Sequence, residues 1–144
     1  MYGTGTKKML NMLILDILRE YSDSDHRLLQ QDIIDLLECE AIAGKDHLDN
    51  EVKTACGSDM MSDVLAFAKT QCVLLTGLCN PQVIRTAEMM DIVAIIFVRG
   101  KKPDETMIEM ADELGLPILT TYHRMFSSCG LLYENGLRGG IIDG

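Results

Sequence analysis

Polar, cationic and glycine residues follow three apolar segments of the sequence, at the points where each segment ends. In open α/β sheets, ligands bind beyond the carboxyl ends of the strands, where helix N-termini present free N–H groups. We therefore predict a site for a small anion, such as a phosphate or carboxylate, or for a nucleotide, held by backbone N–H groups and Arg99. The candidate residues are Thr76, Gly77, Asn80, Arg99, Gly100, Lys101, Thr120, Thr121 and His123.

The cysteines offer a second kind of chemistry. They are odd in number, scattered and without a C-x-x-C pair, a pattern typical of free thiols in a reducing compartment. Cys56 and Cys79 lie near strand ends and Cys129 lies in the last helix, so these three are the candidates for a metal or iron–sulfur site. Isolated cysteines more often act as small buried hydrophobes. The sequence therefore favours neither a metal nor a cofactor.

Phosphoryl transfer requires a phosphate cradle, a lysine on the phosphates and carboxylates for Mg²⁺. The spacing G-x-x-x-x-G-K-[ST] does not occur, and the glycines of the N-terminal GTGTKK follow no strand. The sequence thus predicts a protein that is not an enzyme.

Charge excludes further classes of function. The chain has 144 residues with 13 basic and 22 acidic side chains, for a net charge of −9. This charge repels nucleic acid and anionic membranes. No apolar run reaches the ~20 residues of a membrane span. We expect a cytoplasmic protein that binds neither.

The candidate residues must be positioned by a mostly parallel sheet. Near-continuous apolar runs predict three strands covered on both faces, and the connections between them are long enough for helical crossovers. Asn80 and Pro81 are typical of a helix start, as are Pro103 and the acidic pair after it, and Gly115 is typical of a helix end. The central strands are Val73–Gly77, Ile92–Val98 and Pro117–Thr121. The flanking elements are strands 41–44 and 51–58, a helix 59–70 capped by Ser58 or Asp59, and a final helix 122–136.

Two helices are predicted before the sheet, at 8–21 and 28–38. They are similar to the first two helices of a winged helix-turn-helix, but an acidic segment stands where the recognition helix belongs. We divide the chain into a tail with a helical appendage (1–30), an α/β domain (31–139) and a flexible tail (140–144). The apolar stripe of the first helix needs a partner surface, which predicts a homodimer.

Three stretches carry a resemblance to a known family: VKTACGSDMMSDVLAFAK, VLLTGLCNPQVIRTAEMMDIVAIIFVRGKKPDE and GLPILTTYHRMFSSCGLLYENGL. Over residues 31–139 the chain resembles stand-alone DRTGG-domain proteins, which are similar to the non-catalytic N-terminal domain of HPr kinase. The resemblance implies a three-layer α/β/α fold and a regulatory role, since such domains also occur fused to CBS domains and phosphotransacetylases. Thr121 and Phe126 keep the family's spacing. Cys79-Asn80 replaces the Asp-Arg pair, and Val98-Arg99-Gly100 replaces Thr-Gly-Gly.

Three functions remain open. The first is a non-catalytic module that senses a ligand or binds a protein partner. The second is an accessory protein for the maturation of redox enzymes, which would use the cysteines; the resemblance implies it, because some relatives are encoded beside iron hydrogenases. The third is a truncated helix-turn-helix regulator.

Overall fold

Two adjacent strands, apolar except for Thr76 at the end of one of them, run through the centre of the molecule. The computed structural model describes residues 28–139. The predicted first helix (8–21) and the C-terminal tail (140–144) lie outside these residues, as does the dimer surface assigned to that helix. The helices are α1 (Gln30–Leu37), α2 (Met61–Phe67), α3 (Pro81–Met89), α4 (Glu105–Leu114) and α5 (Met125–Glu134). The strands are β1 (Glu40–Ala43), β2 (Thr54–Gly57), β3 (Cys72–Thr76), β4 (Ile92–Phe97) and β5 (Ile118–Thr120).

The strands form one five-stranded sheet in the order β1-β5-β4-β3-β2. Strands β2 to β5 are parallel to one another, and β1 is antiparallel to β5. The predicted mostly parallel sheet is therefore confirmed. Parallel strands end at the same side of a sheet, and we call the side where β2 to β5 end the carboxyl edge.

Alternate side chains of the central strands enter two separate hydrophobic cores. Cys72 and Leu74 of β3 pack with residues of α2, α3 and α4, whereas Val73 and Leu75 pack with residues of α1 and α5. All of β3 is buried, and most of β4. Helices on both faces of the sheet make the three layers that the sequence predicted.

Local sequence signals set the ends of two helices on the first face. The Asn80 side chain accepts a hydrogen bond from the Gln82 N–H at 3.0 Å, with Pro81 as the first helical residue. Helix α4 ends at Gly115, whose φ of +65° suits glycine. It begins at Glu105, two residues after the predicted start at Pro103, because Asp104 caps it by accepting a hydrogen bond from the Met107 N–H at 2.9 Å.

The predicted cap of α2 is wrong. Helix α2 begins at Met61. Its N-cap residue is Met60, whose side chain makes no capping hydrogen bond. Ser58 accepts a hydrogen bond from the Met60 N–H, one residue ahead of the helix, at 3.0 Å. Asp59 turns away from the helix and bonds to the end of β3 instead.

Helix α1 belongs to the α/β domain, because Ile33 and Leu37 are fully buried against the sheet. Its C-terminal end is fixed by the Thr121 hydroxyl, which donates to the Leu37 carbonyl at 2.7 Å in a buried position. No helix within residues 28–139 has the length and apolar character needed to cross a membrane.

The outer side of β2 is paired with the segment that follows α5. The Ala55 N–H donates to the Arg138 carbonyl at 3.0 Å, and Thr54 and Arg138 form a parallel bridge. The Arg138 guanidinium lies over the Tyr133 ring, 3.7 Å from its centre. The last described residues thus lie along the edge of the sheet.

We expect Thr121→Val to lower the free energy of unfolding by about 1–3 kcal/mol, because the buried Leu37 carbonyl loses its hydroxyl donor. Thr106→Val is the matched control. Thr106 is exposed on α4, so its replacement is expected to change stability by less than about 0.5 kcal/mol. Urea unfolding of both variants tests this, and equal midpoints would contradict it.

Candidate functional site

A cleft of about 460 Å³ opens at the carboxyl edge, between the ends of β2, β3 and β4 and the start of α5. Strand β2 contributes its last residue and the two that follow it. Strands β3 and β4 contribute the residues directly after their ends, and α5 contributes its N-cap and first turn. We call it the arginine cleft; it is lined by Gly57, Ser58, Asp59, Gly77, Val98, Arg99, Arg124, Met125 and Phe126.

The backbone holds Arg99 in a left-handed conformation that is unusual for a side chain of its size. Its φ is 60°, and Gly100 after it has a φ of 71°. Two hydrogen bonds impose this turn: Arg99 N–H donates to the His123 carbonyl at 2.9 Å, and Gly100 N–H to the Thr121 carbonyl at 2.8 Å. The loop after β4 is therefore tied to the loop after β5.

Gly77 makes room for the Arg99 guanidinium. A Cβ atom at position 77 would lie 2.5 Å from Arg99 Nη2, closer than any real side chain permits. The guanidinium therefore lies across the backbone at the end of β3. This close approach brings a cation beside the N–H groups at that strand end.

The first turn of α5 brings a second cation and uncapped N–H groups. Arg124 occupies the N-cap, makes no capping hydrogen bond, and no acidic residue follows in the first turn. A helix N-terminus carries roughly half a positive charge, so an arginine there is electrostatically unfavourable. An anion in the cleft would satisfy both the N–H groups and the guanidinium.

Neither arginine has a side-chain partner in the part of the chain that the structure describes. Among the described residues, Lys102 forms an ion pair with Glu40 at 3.5 Å, and the Arg138 guanidinium lies over an aromatic ring. Arg99 and Arg124 take part in neither contact. Arg99 and Arg124 are both exposed. Phe126, in the first turn of α5, is 90% exposed. The cleft thus combines two free cations with an apolar ring.

Asp59 supplies the carboxylate of the cleft. Its Oδ1 accepts hydrogen bonds from the Gly77 N–H at 2.7 Å and from the Thr76 hydroxyl at 3.1 Å. Its Oδ2 accepts no hydrogen bond from residues 28–139. The carboxylate is therefore fixed in direction and keeps acceptor capacity for a ligand.

The structure brings some of the nine candidate residues into this cleft. Gly77 and Arg99 line it, and Thr76 supports it through Asp59. Gly100 and His123 contribute backbone groups that hold the Arg99 turn, and a Tyr122 ring packs on Gly100.

The other candidate residues lie outside the lining and have structural contacts. Asn80 caps α3, and Thr121 anchors α1. The Thr120 hydroxyl donates to the Lys101 carbonyl at 2.6 Å, while the Lys101 side chain is exposed. These hydroxyls and the amide are engaged within the protein, so Arg99 is the candidate side chain that is both unengaged and in the cleft lining.

Seven lining residues escape the sequence reasoning: Gly57, Ser58, Asp59, Val98, Arg124, Met125 and Phe126. One signal for them is present. The last helix begins after His-Arg, where a Ser, Thr, Asp or Asn cap is expected. An arginine at the N-cap position departs from that pattern, and this departure is the signal that singles out the start of α5.

The structure does not bring the three candidate cysteines, Cys56, Cys79 and Cys129, together at one place. Burial raises the pKa of all five thiols, to about 12 for Cys39 and about 11 for Cys72. Besides burial, the nearby Cys129 raises the pKa of Cys56, whereas the charged neighbours of Cys79 are Asp104 and Lys101. Within residues 28–139, no three metal-binding side chains come together.

The DRTGG domain model matches residues 32–134, well over half of the chain. The chain belongs to the DRTGG domain family. A comparison with curated proteins finds no match. A solved DRTGG structure has the same fold: the CBS and DRTGG domains of the regulatory region of Clostridium perfringens pyrophosphatase, in complex with the activator diadenosine tetraphosphate. It matches with a TM-score of 0.57 and 18% identity over 72% of this chain, which spans 45% of that structure.

Raised thiol pKa values predict a loss of stability in alkali. The Cys72 pKa is 9.0 in its ordinary state and about 11 in the fold, where the thiol is fully buried. The native state therefore keeps a proton that the unfolded chain loses above pH 9. Its contribution is complete below pH 9 and disappears as the pH rises through 11. We expect this thiol to lower the free energy of unfolding by about 1 kcal/mol between pH 8 and pH 10.

Urea unfolding at these two pH values measures the effect in the parent and in Cys72→Ala. The variant is less stable at both, because it leaves a small cavity, but its decline with pH is expected to be shallower by that amount. The other titratable groups are the same in both proteins, so their effect on the pH dependence of stability cancels in this comparison. Parallel declines would contradict burial as the cause.

Proposed function

We propose that this DRTGG domain is a non-catalytic sensor module that binds a small phosphorylated anion in the arginine cleft. One observation carries the proposal: Arg99 and Arg124 face the same cleft without a partner among the described residues. On a protein with net charge −9, acidic side chains are abundant enough to pair with exposed arginines. Two arginines left free at one place indicate an external anion.

The conformation of Arg99 supports the same conclusion. A left-handed residue with a Cβ costs about 1–2 kcal/mol relative to glycine. The resemblance to the family pattern places glycine at position 99. An arginine kept there against its backbone preference is expected where its side chain binds something, because its planar fork grips phosphate or carboxylate in two places.

The family relationship supports a regulatory role. The pyrophosphatase relative carries its DRTGG domain in a regulatory region that is complexed with a phosphorylated nucleotide. We propose a phosphorylated ligand here as well, bound in the cytoplasm. The catalytic activity of that enzyme is not part of the proposal, because this chain spans 45% of the relative's structure.

The two alternatives have less support. Thiols whose pKa is raised by burial are poor nucleophiles and poor metal ligands, which counts against a cysteine-based maturation factor. A helix-turn-helix needs α1 to be free to dock with a recognition helix. Here α1 packs against the sheet, and the next element in the chain is the strand β1.

The ligand class is tested by thermal unfolding with inorganic phosphate, sulfate, citrate, AMP, ADP and ATP. A ligand that binds the native state alone raises the melting temperature. Upward shifts with the phosphates, larger than those with sulfate or citrate, are expected. No shift with any phosphate at millimolar concentration would overturn the proposal.

We expect Arg99→Gly to weaken ligand binding while it stabilises the fold. The variant removes a charged hydrogen-bond donor, so its affinity for a phosphorylated ligand falls about ten- to a hundredfold. It also relieves the backbone at φ 60°, so its free energy of unfolding rises by about 1 kcal/mol. Calorimetric titration and urea unfolding measure the two effects.

The matched control for Arg99→Gly is Arg85→Ala, which removes an equal charge from the exposed side of α3, away from the lining residues. It is expected to change affinity by less than about threefold, since exposed distant charges are screened. Equal losses in both variants would assign the effect to net charge and not to the cleft.

The purified protein is expected neither to hydrolyse ATP nor to transfer its phosphate to a protein acceptor. The reason is the missing phosphate loop, together with a cleft whose carboxylate already accepts two hydrogen bonds from the protein. Release of labelled phosphate measures turnover. Activity that survives repurification and is lost in Arg99→Gly would contradict the prediction.

A further inference from the structure

The arginine cleft is not built for phosphate alone, because its lining includes a fixed carboxylate. Asp59 shares the cleft with Arg99 and Arg124, so the three side chains carry a formal charge of +1. An inorganic phosphate meets two cations and is repelled by the carboxylate. A ligand that also donates a hydrogen bond to Asp59 gains an interaction from the group that repels the simpler ion.

Asp59 is held in place for such an interaction. Two donors from the end of β3, Gly77 N–H and the Thr76 hydroxyl, bind its Oδ1. A carboxylate has about four acceptor positions, so capacity remains after these two bonds. Ribose hydroxyls are the natural donors for a carboxylate placed at the carboxyl edge of a parallel sheet beside a phosphate site.

Phe126 adds an apolar ring to the cleft, which favours a ligand with a flat aromatic group. Its ring is 90% exposed, it lines the cleft, and it lies two residues after Arg124 on the first turn of α5. A ring that faces water at the side of a charged cleft is a surface on which a flat aromatic group stacks. The cleft volume of about 460 Å³ lies in the range of pockets that hold whole small molecules.

We propose that Asp59 is the specificity-determining acceptor of the cleft and Phe126 its stacking surface, so that the ligand is a nucleoside phosphate. This inference rests on the proposed function and refines it. The two arginines bind the phosphate, Asp59 accepts from the ribose hydroxyls, and Phe126 stacks on the base. Neither a bare phosphate nor a sugar phosphate uses all three.

The competing role for Asp59 is that of an internal anion. Its carboxylate already bonds to a backbone N–H at a strand end, where a ligand phosphate would also bind. In that case the ligand displaces Asp59, and removing the charge of Asp59 strengthens the binding of every phosphate. The two roles predict opposite effects of the same substitution.

The experiment titrates the full-length protein by calorimetry with four kinds of probe: the 5′-monophosphates of adenosine, guanosine, cytidine and uridine; their 2′,3′-dideoxy counterparts; ribose 5-phosphate; and inorganic phosphate. At least one nucleotide is expected to bind about tenfold more tightly than ribose 5-phosphate. Ribose 5-phosphate in turn is expected to bind more tightly than inorganic phosphate. The dideoxy form of the preferred nucleotide is expected to bind about tenfold more weakly.

Two variants assign the roles. Asp59→Asn retains an oxygen acceptor for the Gly77 N–H and is expected to bind the nucleotide about tenfold more weakly, with little remaining difference between it and its dideoxy form. Phe126→Leu is expected to weaken the nucleotide about tenfold and to leave ribose 5-phosphate unchanged. Phe67→Leu is the matched control, since Phe67 is 63% exposed on α2 outside the cleft lining.

The outcomes separate this inference from the proposed function. If Asp59→Asn binds all phosphates more tightly, Asp59 is the displaced anion and the inference is wrong. If the parent binds inorganic phosphate as well as any nucleotide, and Arg99→Gly abolishes both, the anion site stands while the nucleoside assignment fails. If no probe binds, the inference fails, and the absence of a thermal shift with ADP and ATP as well makes the proposed function fail with it.

Discussion

The burial of β3 and β4 on both faces is the constraint on which the rest of the structure depends. A strand covered on both sides has no access to water, so its backbone groups must pair with neighbouring strands and its side chains must all be apolar. The sequence meets this with an unbroken run from Cys72 to Leu75 and another from Ile92 to Val98. Helices are then required on both faces of the sheet, so two short segments of the sequence determine the three-layer architecture.

The same constraint concentrates polar groups at the carboxyl edge. Each strand leaves the interior there, and its last residues must find hydrogen-bond partners in the neighbouring loops. The loop after β4 finds them on the loop after β5, which fixes Arg99, and the end of β3 finds one on Asp59. The side chains of the arginine cleft are thus positioned by backbone requirements that apply with or without a ligand.

Local signals explain how much of this could be predicted from the sequence. The strands follow from apolar runs, and Asn80 and Gly115 mark helix ends through bonds within a few residues. The cleft depends on contacts between residues far apart in the chain. Asp59 looks like a helix cap because Ser and Asp are common caps, yet its partner lies 18 residues away at Gly77. Thr121 looks like a ligand residue, but its partner is Leu37, 84 residues away. Pairings of this kind depend on strand order, which periodicity does not determine.

The pairing of Ala55 with Arg138 has a consequence for how molecules of this protein behave in a crowded solution. Strand β2 lies at one end of the sheet, and an open strand edge is a template for strands of other molecules. The backbone of Arg138 occupies the Ala55 donor, and its charged side chain is held beside it over Tyr133. A few residues after α5, with no place in the cleft, thereby protect the β2 edge of the sheet from pairing with strands of other molecules.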